Sequence, residues 1–376
     1  MLCNRRHCLQ SICVGFICIL LLGSLLEVSG QTATESMRAR SHQTIAMGDR
    51  FVLALQKDGT LWAWFDDHTN YFGARWILTR KLPVQLGTSS NWVAVSASSE
   101  NLLALRRDGT LWLGGSEGRT FKPPIQVGQQ TNWTAIATAD RWSYGLRKDG
   151  AVWELSGALL SELIPRNAAS RLIHLESIPG PQGIHLAALG TDQTFWISGS
   201  VRWGYSEHRS PIYEVVLARV PEASNCVSFA ICFSHTAVVL PNGTLWAWPN
   251  TGNRYEKDGS IKLAAVPKQV GKETNWVEVF AESFQMIGLK RDGSIWFWKH
   301  LFSSGNHDNR RNLSTMTSEK PQRIGTDTNW NSSVIGRDSD HYVMATRRDG
   351  TLWIWDQEQP NPVRVGDLSN WGPPTE

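Results

Sequence analysis

Short apolar runs broken by polar turns recur along the chain. Phe51-Val52-Leu53-Ala54-Leu55 leads towards a turn at Lys57-Asp58-Gly59, and Thr60-Leu61-Trp62-Ala63-Trp64 leaves it. Apolar residues occupy both parities of these runs, so each predicted strand is covered on both faces. Asp-Gly tolerates positive φ at both central positions of a tight turn, which predicts a type I′ hairpin between the two strands.

The hairpin phrase repeats. Lys57-Asp58-Gly59-Thr60-Leu61-Trp62 returns as Arg107-Asp108-Gly109-Thr110-Leu111-Trp112 and Lys148-Asp149-Gly150-Ala151-Val152-Trp153, then degrades to Thr191-Asp192-Gln193-Thr194-Phe195-Trp196. It recovers as Pro241-Asn242-Gly243-Thr244-Leu245-Trp246, Arg291-Asp292-Gly293-Ser294-Ile295-Trp296 and Arg348-Asp349-Gly350-Thr351-Leu352-Trp353. These seven tryptophans are 50, 41, 43, 50, 50 and 57 residues apart. A second phrase, Asn-Trp, stands at 91–92, 132–133, 275–276, 329–330 and 370–371, with Asn225-Cys226 as a variant and an eroded copy near His174. An extended segment such as Pro83-Val84-Gln85-Leu86-Gly87 precedes it, and a strand such as Val93-Ala94-Val95-Ser96-Ala97 follows. Each unit therefore holds four strands, and periods of this size mean stacked or radial repeats. His42 occupies the repeat position of Trp92, and the last unit ends at the same position on Trp371. The expectation is an all-β fold: a seven-bladed β-propeller of four-stranded antiparallel blades over 42–371, closed by pairing of its N- and C-terminal segments. Residues 31–41 are then a linker and 372–376 a C-terminal tail.

The two phrases together resemble the regulator-of-chromosome-condensation repeat, mainly in a bacterial-looking variant: Asn-Trp, a His, Leu-Ala-Leu, then Asp-Gly-Thr-Leu-Trp-Ala-Trp. The resemblance covers most of 42–371 and implies a seven-bladed propeller. Two departures stand out. The usual Gly-Gln-Leu-Gly run survives only as the faint Asn70-Tyr71-Phe72-Gly73, and the His of the Ala-Gly-x-x-His phrase stays in phase only at His185 and His235. The family includes nucleotide exchange factors for a nuclear GTPase, and also secreted proteins that inhibit an enzyme by binding over it. The resemblance thus implies a binding role, and the secreted relatives fit this chain's compartment better.

That compartment is read from the N-terminus. Arg5, Arg6 and His7 precede an apolar run, Ser11 to Leu26, and small residues lead to a cut after Gly30. This is the build of a secretory signal peptide over 1–30, and the protein is expected to be secreted or outside the cell envelope. The run is 16 residues long, short of the roughly 20 a spanning helix needs. The alternative is an uncleaved membrane anchor, the one way this chain would hold a membrane. Only Cys226 and Cys232 remain beyond the signal. If extended, their separation puts the Cα atoms about 20 Å apart, too far for a disulfide, so two free, mostly buried thiols are expected. The net charge of +3 lacks the basic excess that phosphate backbones demand, which argues against nucleic acid. A monomer is expected.

Chemistry is sparse. Gly114-Gly115-Ser116-Glu117-Gly118 has nucleophile-elbow spacing, but a strand running into a propeller loop lacks the strand-to-helix turn that motif needs. The histidines show no zinc-ligand spacing. No catalytic residue, metal or cofactor is expected. The long connections 65–82, 198–211, 249–266 and 299–320 fall on the rim opposite the Asp-Gly turns, and loops of unequal length on a rigid scaffold carry recognition. On that rim, seven residues before each turn Asp, the ring holds Phe51, Asn101, Trp142, His185, His235, Gln285 and Tyr342. Such a circle of aromatic and hydrogen-bonding groups suits a protein loop or a sugar, set against the plainer role of filling the blade starts. Lys57, Arg106, Arg107, Arg147, Lys148, Lys290, Arg291, Arg347 and Arg348 precede five of the turns and read as solvated turn residues.

Of 19 tryptophans, 16 occupy repeat positions: seven in the hairpin phrase, five in Asn-Trp, and Trp64, Trp248, Trp298 and Trp355 two residues after it. Blades 2 to 4 carry Gly114, Leu155 and Ser198 at that last position, which predicts a looser arc. Trp76, Trp142 and Trp203 are left over, and Trp76, Trp203 and Tyr205 are the candidate interface aromatics. The preferred reading is a secreted, non-catalytic module that recognises a protein partner. The alternative is a carbohydrate-binding lectin, weakened because the spare tryptophans occupy different repeat positions. An enzyme with a central-pocket site ranks third.

Overall fold

The computed structural model describes residues 43–48, 51–65, 82–98, 100–117, 120–139, 142–156, 159–163, 172–180, 183–205, 211–232, 234–250, 253–255, 261–263, 265–282, 285–298, 302–303, 315–316, 320–335, 342–355 and 361–375. The signal segment, the linker and Trp76 lie outside them. Among the described residues, no helix is long and apolar enough to cross a membrane.

Seven four-stranded antiparallel sheets follow one another, and in each the spatial order of strands is the chain order. Blade 1 consists of Ile45–Met47, Phe51–Leu55, Leu61–Phe65 and Val84–Gln85. Blade 2 holds Trp92–Ser98, Asn101–Arg106, Leu111–Glu117 and Thr120–Gln126. Blade 3 holds Trp133–Ala139, Trp142–Arg147, Val152–Ser156 and Leu159–Leu163. Blade 4 holds Leu172–Gly180, Gly183–Gly190, Phe195–Tyr205 and Pro211–Arg219. Ser228–Ile231, His235–Val239, Leu245–Pro249 and Lys268–Gln269 form blade 5. Trp276–Glu282, Gln285–Lys290, Ile295–Trp298 and Gln322–Ile324 form blade 6. Trp330–Ile335, Val343–Arg347, Leu352–Trp355 and Val363–Arg364 form blade 7. Each blade's first strand touches the first strands of its neighbours, and blade 7 touches blade 1. The ring is closed, with first strands at its centre and fourth strands at its perimeter.

Closure is made by a strand shared between the chain ends. Trp92, Trp133, Trp276 and Trp330 each open a first strand and pair with Arg106, Arg147, Lys290 and Arg347 of the same blade. In blade 1 the equivalent residue, Gln56, pairs with Trp371 from the far end of the chain. Lys57 N–H donates to the Asn370 carbonyl (2.9 Å) and Gly372 N–H to that of Leu55 (3.0 Å), while Leu55 N–H donates to Thr44 (2.9 Å). Trp371 packs with Trp64 (5.2 Å between centroids), inside one apolar cluster drawn from blades 7 and 1.

The hairpin turn differs from the expected type I′. Only its glycine has positive φ: Gly59 stands at 80° and Gly109 at 78°, and Asp58 and Asp108 are not left-handed. Gly59 N–H bonds to Gln56 C=O (2.9 Å), and Gln56 N–H to Thr60 C=O (3.0 Å). This is a type I turn ending in a left-handed glycine bulge. The aspartate takes the right-handed conformation because its carboxylate then accepts from the backbone two residues on.

At the three positions that lack the second indole, other groups fill the space. A Cβ at Gly114 would strike the backbone of Lys122 and Pro124 in the adjoining fourth strand. Leu155 is buried, and buried Ser198 accepts a bond from Leu186 N–H (2.6 Å). Each missing indole has been replaced by other atoms. Cys226 and Cys232 are buried thiols outside any disulfide.

Candidate functional site

The rim that carries the Asp-Gly turns is consumed by its own architecture. Asp58 Oδ1 accepts from Thr60 N–H (2.9 Å) and Thr60 Oγ1 (2.6 Å), and Thr60 Oγ1 accepts from Trp62 Nε1 (2.8 Å). The same cascade runs through Asp108, Thr110 and Trp112, through Asp292, Ser294 and Trp296 and through Asp349, Thr351 and Trp353. It runs too through Asp192, Thr194 and Trp196, and through Asn242, Thr244 and Trp246. Bonds from Ser294 and Thr351 hold the carboxyls of Asp292 and Asp349 below the ordinary range. Blade 3 breaks the chain: Ala151 has no hydroxyl, and Trp153 Nε1 is buried without a partner.

The turn glycine then staples one blade to the next. Trp92 N–H bonds to Gly59 C=O (3.1 Å), Trp133 to Gly109 (3.2 Å), Trp276 to Gly243 (3.1 Å), Trp330 to Gly293 (3.3 Å) and Trp371 to Gly350 (2.9 Å). A Cβ on Gly59 or Gly109 would collide with the carbonyl of Ser90 or Thr131 in the following blade, so glycine is required by space as well as by φ. Between blades 4 and 5 the turn carries Gln193 at φ 62°, and its carbonyl takes Asn225 N–H instead (2.8 Å).

Four of the nine cations expected to be solvated are not. Arg106 lies between Trp92 and Trp112, 4.4 and 3.7 Å from their centroids. Arg147 lies between Trp133 and Trp153, Lys290 between Trp276 and Trp296, and Arg347 between Trp330 and Trp353. The strand pairing places a hairpin indole on one side of each cation and the Asn-Trp indole on the other, a stacking geometry that favours cations. Ser89, Glu273 and Asp327 accept from Arg106 (2.9 Å), Lys290 (2.7 Å) and Arg347. Arg107, Lys148, Arg291 and Arg348 are exposed as expected.

The opposite rim is built differently. The seven ring residues all lie at or near the start of a second strand, as their phase requires, but their side chains do not share one open circle. Phe51, His235, Gln285 and Tyr342 are buried; Asn101 is half-buried. Phe51 belongs to a cluster of blades 1 and 2, Tyr342 to one of blades 7 and 1. The backbone of Trp142 opens its strand and His185 is third in its own; their side chains, like those of Trp203 and Tyr205, lie outside the described residues. Phe51 meets Phe121 edge-on (5.7 Å), and Phe121 stacks flat on Phe65 (5.1 Å, 4°).

One turn on this rim gathers reactive groups. His235 Nδ1 lies 2.8 Å from Ser234 Oγ and 3.1 Å from Cys232 Sγ. Asn250 Nδ2 donates to Cys232 C=O (2.7 Å) and Asn250 Oδ1 accepts from Thr236 Oγ1 (2.6 Å). Burial pushes His235 down to about 3. Cys232 and His235 are both 0% exposed, and the imidazole is packed neutral.

Within the long connections of three successive blades the described residues form extra antiparallel pairings. The connection 198–211 is largely strand: pairing between the third and fourth strands of blade 4 continues from Trp196↔Arg219 to Tyr205↔Pro211. In blade 5, Arg254–Tyr255 pairs with Ile261–Lys262, and in blade 6, Phe302–Ser303 pairs with Thr315–Met316. Arg254–Tyr255 also touches the third strand of blade 4. The alternation of Val201, Trp203 and Tyr205 was the available signal for the first ribbon; the two-residue pairings of the others leave no readable pattern.

No family model matches the chain, and no curated protein matches it in sequence. Among solved structures it is similar to a propeller-containing chain of the mitotic checkpoint complex, at 14% identity and a TM-score of 0.50 over 87% of this chain and 88% of that one. It is also similar to the CRINKLY WD40 ectodomain of the Arabidopsis thaliana receptor kinase ACR4 (13%, 0.49, over 86% and 97%). Yeast RCC1, Prp20, crystallised with Kap60, aligns at 14% and 0.41 over 86% of this chain and 74% of its own.

Proposed function

We propose that this propeller is an exported, non-catalytic scaffold of the regulator-of-chromosome-condensation type. It takes a protein partner on the rim where blades 4 to 6 raise their ribbons. The observation that carries this is the asymmetry of the rims. One spends its turn carboxylates, hydroxyls, indoles and four of its nine turn cations on internal contacts, whereas the other carries strands beyond what the blades need. Extended main chain and unequal connections on a rigid ring are the usual means of protein recognition. Phe65 and Phe121, half-buried beside blade 1, supply apolar surface on the same rim. Catalysis has no part in this reading: among the described residues, the nucleophiles beside His235, Cys232 and Ser234, are buried with it.

The test is capture by cross-linking from the native extracellular fluid, run beside a glycan array. A variant in which 256–260 is replaced by a two-residue turn serves as the comparison. One protein captured by the native chain, and lost with the shortened ribbon, supports the proposal. Saturable binding to several related glycans with no protein captured would sink it in favour of a lectin.

A further inference from the structure

Propeller perimeters are rings of edge strands, and this one blunts most of them. The fourth strands of blades 1, 5, 6 and 7 are two or three residues long and follow Pro83, Pro267, Pro321 and Pro362. That of blade 2 holds Pro123 and Pro124 inside it, and that of blade 3 is five residues long. Short strands and prolines are the usual protection of an open edge. Blade 4 lacks both. Its fourth strand, Pro211–Arg219, runs nine residues with proline only at its first position, and it ends the sheet.

The direction of its main chain follows from one hydrogen bond. Val220 N–H donates to Phe195 C=O (2.8 Å), and in an antiparallel ladder bonded pairs alternate. With the observed register, Ala218, Val216 and Glu214 turn their amides towards the third strand, while Tyr213, Val215, Leu217 and Arg219 turn theirs outward. The outer half of this edge has little support of its own. The second strand of blade 4 pairs with the third only from Ala187↔Ile197 to Leu189↔Phe195, so Gly199–Tyr205 and Pro211–Val216 form a two-stranded ribbon. Such a ribbon is marginal in water until further strands join it.

We propose that this edge is the interface of a two-fold dimer, in which the fourth strands of two copies pair antiparallel with Val215 opposite Val215. A two-fold axis through a sheet requires paired residues of equal parity, and the outward set 213, 215, 217 and 219 meets that condition against itself. The register centred on 215 is the one that pairs the whole strand, about 30 Å of edge. It joins the two blades into one continuous sheet, and each copy completes the other's ribbon. The area involved is on the order of 1,000 Å², the low end for a stable interface, so the dimer dissociates on dilution. The interface uses the outer strand of the blade 4 ribbon and leaves those of blades 5 and 6 to the partner proposed above, so either reading can fail without the other; it stands against the monomer expected from sequence.

Light scattering over a dilution series tests it on the chain from Gln31 onward, which contains the whole compact unit 41–376. The expected mass is that of two chains when concentrated, falling towards one. Val215→Pro removes an amide that the blade does not use, and should give one-chain mass with unchanged circular dichroism and melting. Val215→Cys places two thiols on Cα atoms about 5.5 Å apart, within disulfide range, and buried Cys226 and Cys232 do not compete. A disulfide-linked dimer on oxidation is expected, and it decides the matter if the proline variant fails to fold. One-chain mass at every concentration, a folded proline variant that still dimerises, or no cross-link through position 215 would each overturn the proposal.

Discussion

The two rims of this propeller use the same repeat to opposite ends. On the Asp-Gly rim most blades are made alike: a turn carboxylate or amide to a hydroxyl to an indole in six hairpins, and a glycine carbonyl to the next blade's tryptophan at five joints. On the other rim a shared starting position holds Phe51, Asn101, His235, Gln285 and Tyr342, and the connections range from tight turns to ribbons. The difference follows from what each rim must hold. Stapling neighbours demands identical geometry at each joint, whereas strand ends pointing away from the joints are free to lengthen.

The largest effect is expected at the joint that closes the ring. Trp371→Ala removes a fully buried indole packed on Trp64 and should cost about 3–5 kcal/mol in urea denaturation. Hydrogen exchange should then rise first in blades 1 and 7; uniform exchange around the ring would contradict a shared closing strand. Next comes a paired test of the rims. Gly109→Val forces a branched residue to positive φ against the Thr131 carbonyl and should cost about 3 kcal/mol. A four-residue insertion between Tyr255 and Ile261 should cost about 0.5 kcal/mol or less. Equal losses in the two would refute the division of labour.

Acid offers a third probe. His235 is held neutral, its pKa pushed to about 3 by burial, while an unfolded histidine titrates near 6.5. The unfolded chain therefore takes up the proton first. This group's stabilising contribution is whole above pH 6.5 and declines as pH falls towards 3, with the slope of about 1.4 kcal/mol per pH unit that one extra proton on the unfolded chain gives. His235→Gln should flatten the stability profile across that window relative to the native chain, as followed by thermal melts. The smallest effect is a gain: Ala151→Thr supplies the hydroxyl that Trp153 Nε1 lacks and should add about 1 kcal/mol. Thr110→Ala, its mirror image in blade 2, should remove a similar amount.

Much of the fold was legible because the repeat is written in turn chemistry. Asp-Gly-Thr-Leu-Trp marks a hairpin wherever it occurs, and seven copies in phase specify a closed ring. The turn type was misread, because Asp-Gly is compatible with two hairpin geometries and the choice rests on a carboxylate bonding to Thr60. The cations were misread for another reason. Arg106 and Arg107 are adjacent in sequence, yet strand alternation turns the first between two indoles and leaves the second in water.

The candidate site was legible only in part. Phase placed the seven ring residues correctly at one rim, but burial depends on what the neighbouring blade brings. Phe51 is covered by Phe121 from blade 2, a contact between residues 70 positions apart. Nothing local to Phe51 announces it. The ribbons escaped because a period-two pattern over a few residues also reads as an irregular loop.

By itself the sequence determined the number of blades, where each hairpin turns, and that the chain ends meet at the same repeat position. These are consequences of residue type and spacing, because backbone conformation and strand period are local properties. The tertiary structure alone decided that Trp371 completes the first strand of blade 1. It likewise decided that four cations are stacked, that most of the described ring side chains are covered, and that blade 4 ends in a nine-residue fourth strand. Each of these depends on contacts made across blades, between residues whose distance along the chain carries no signal of their distance in space.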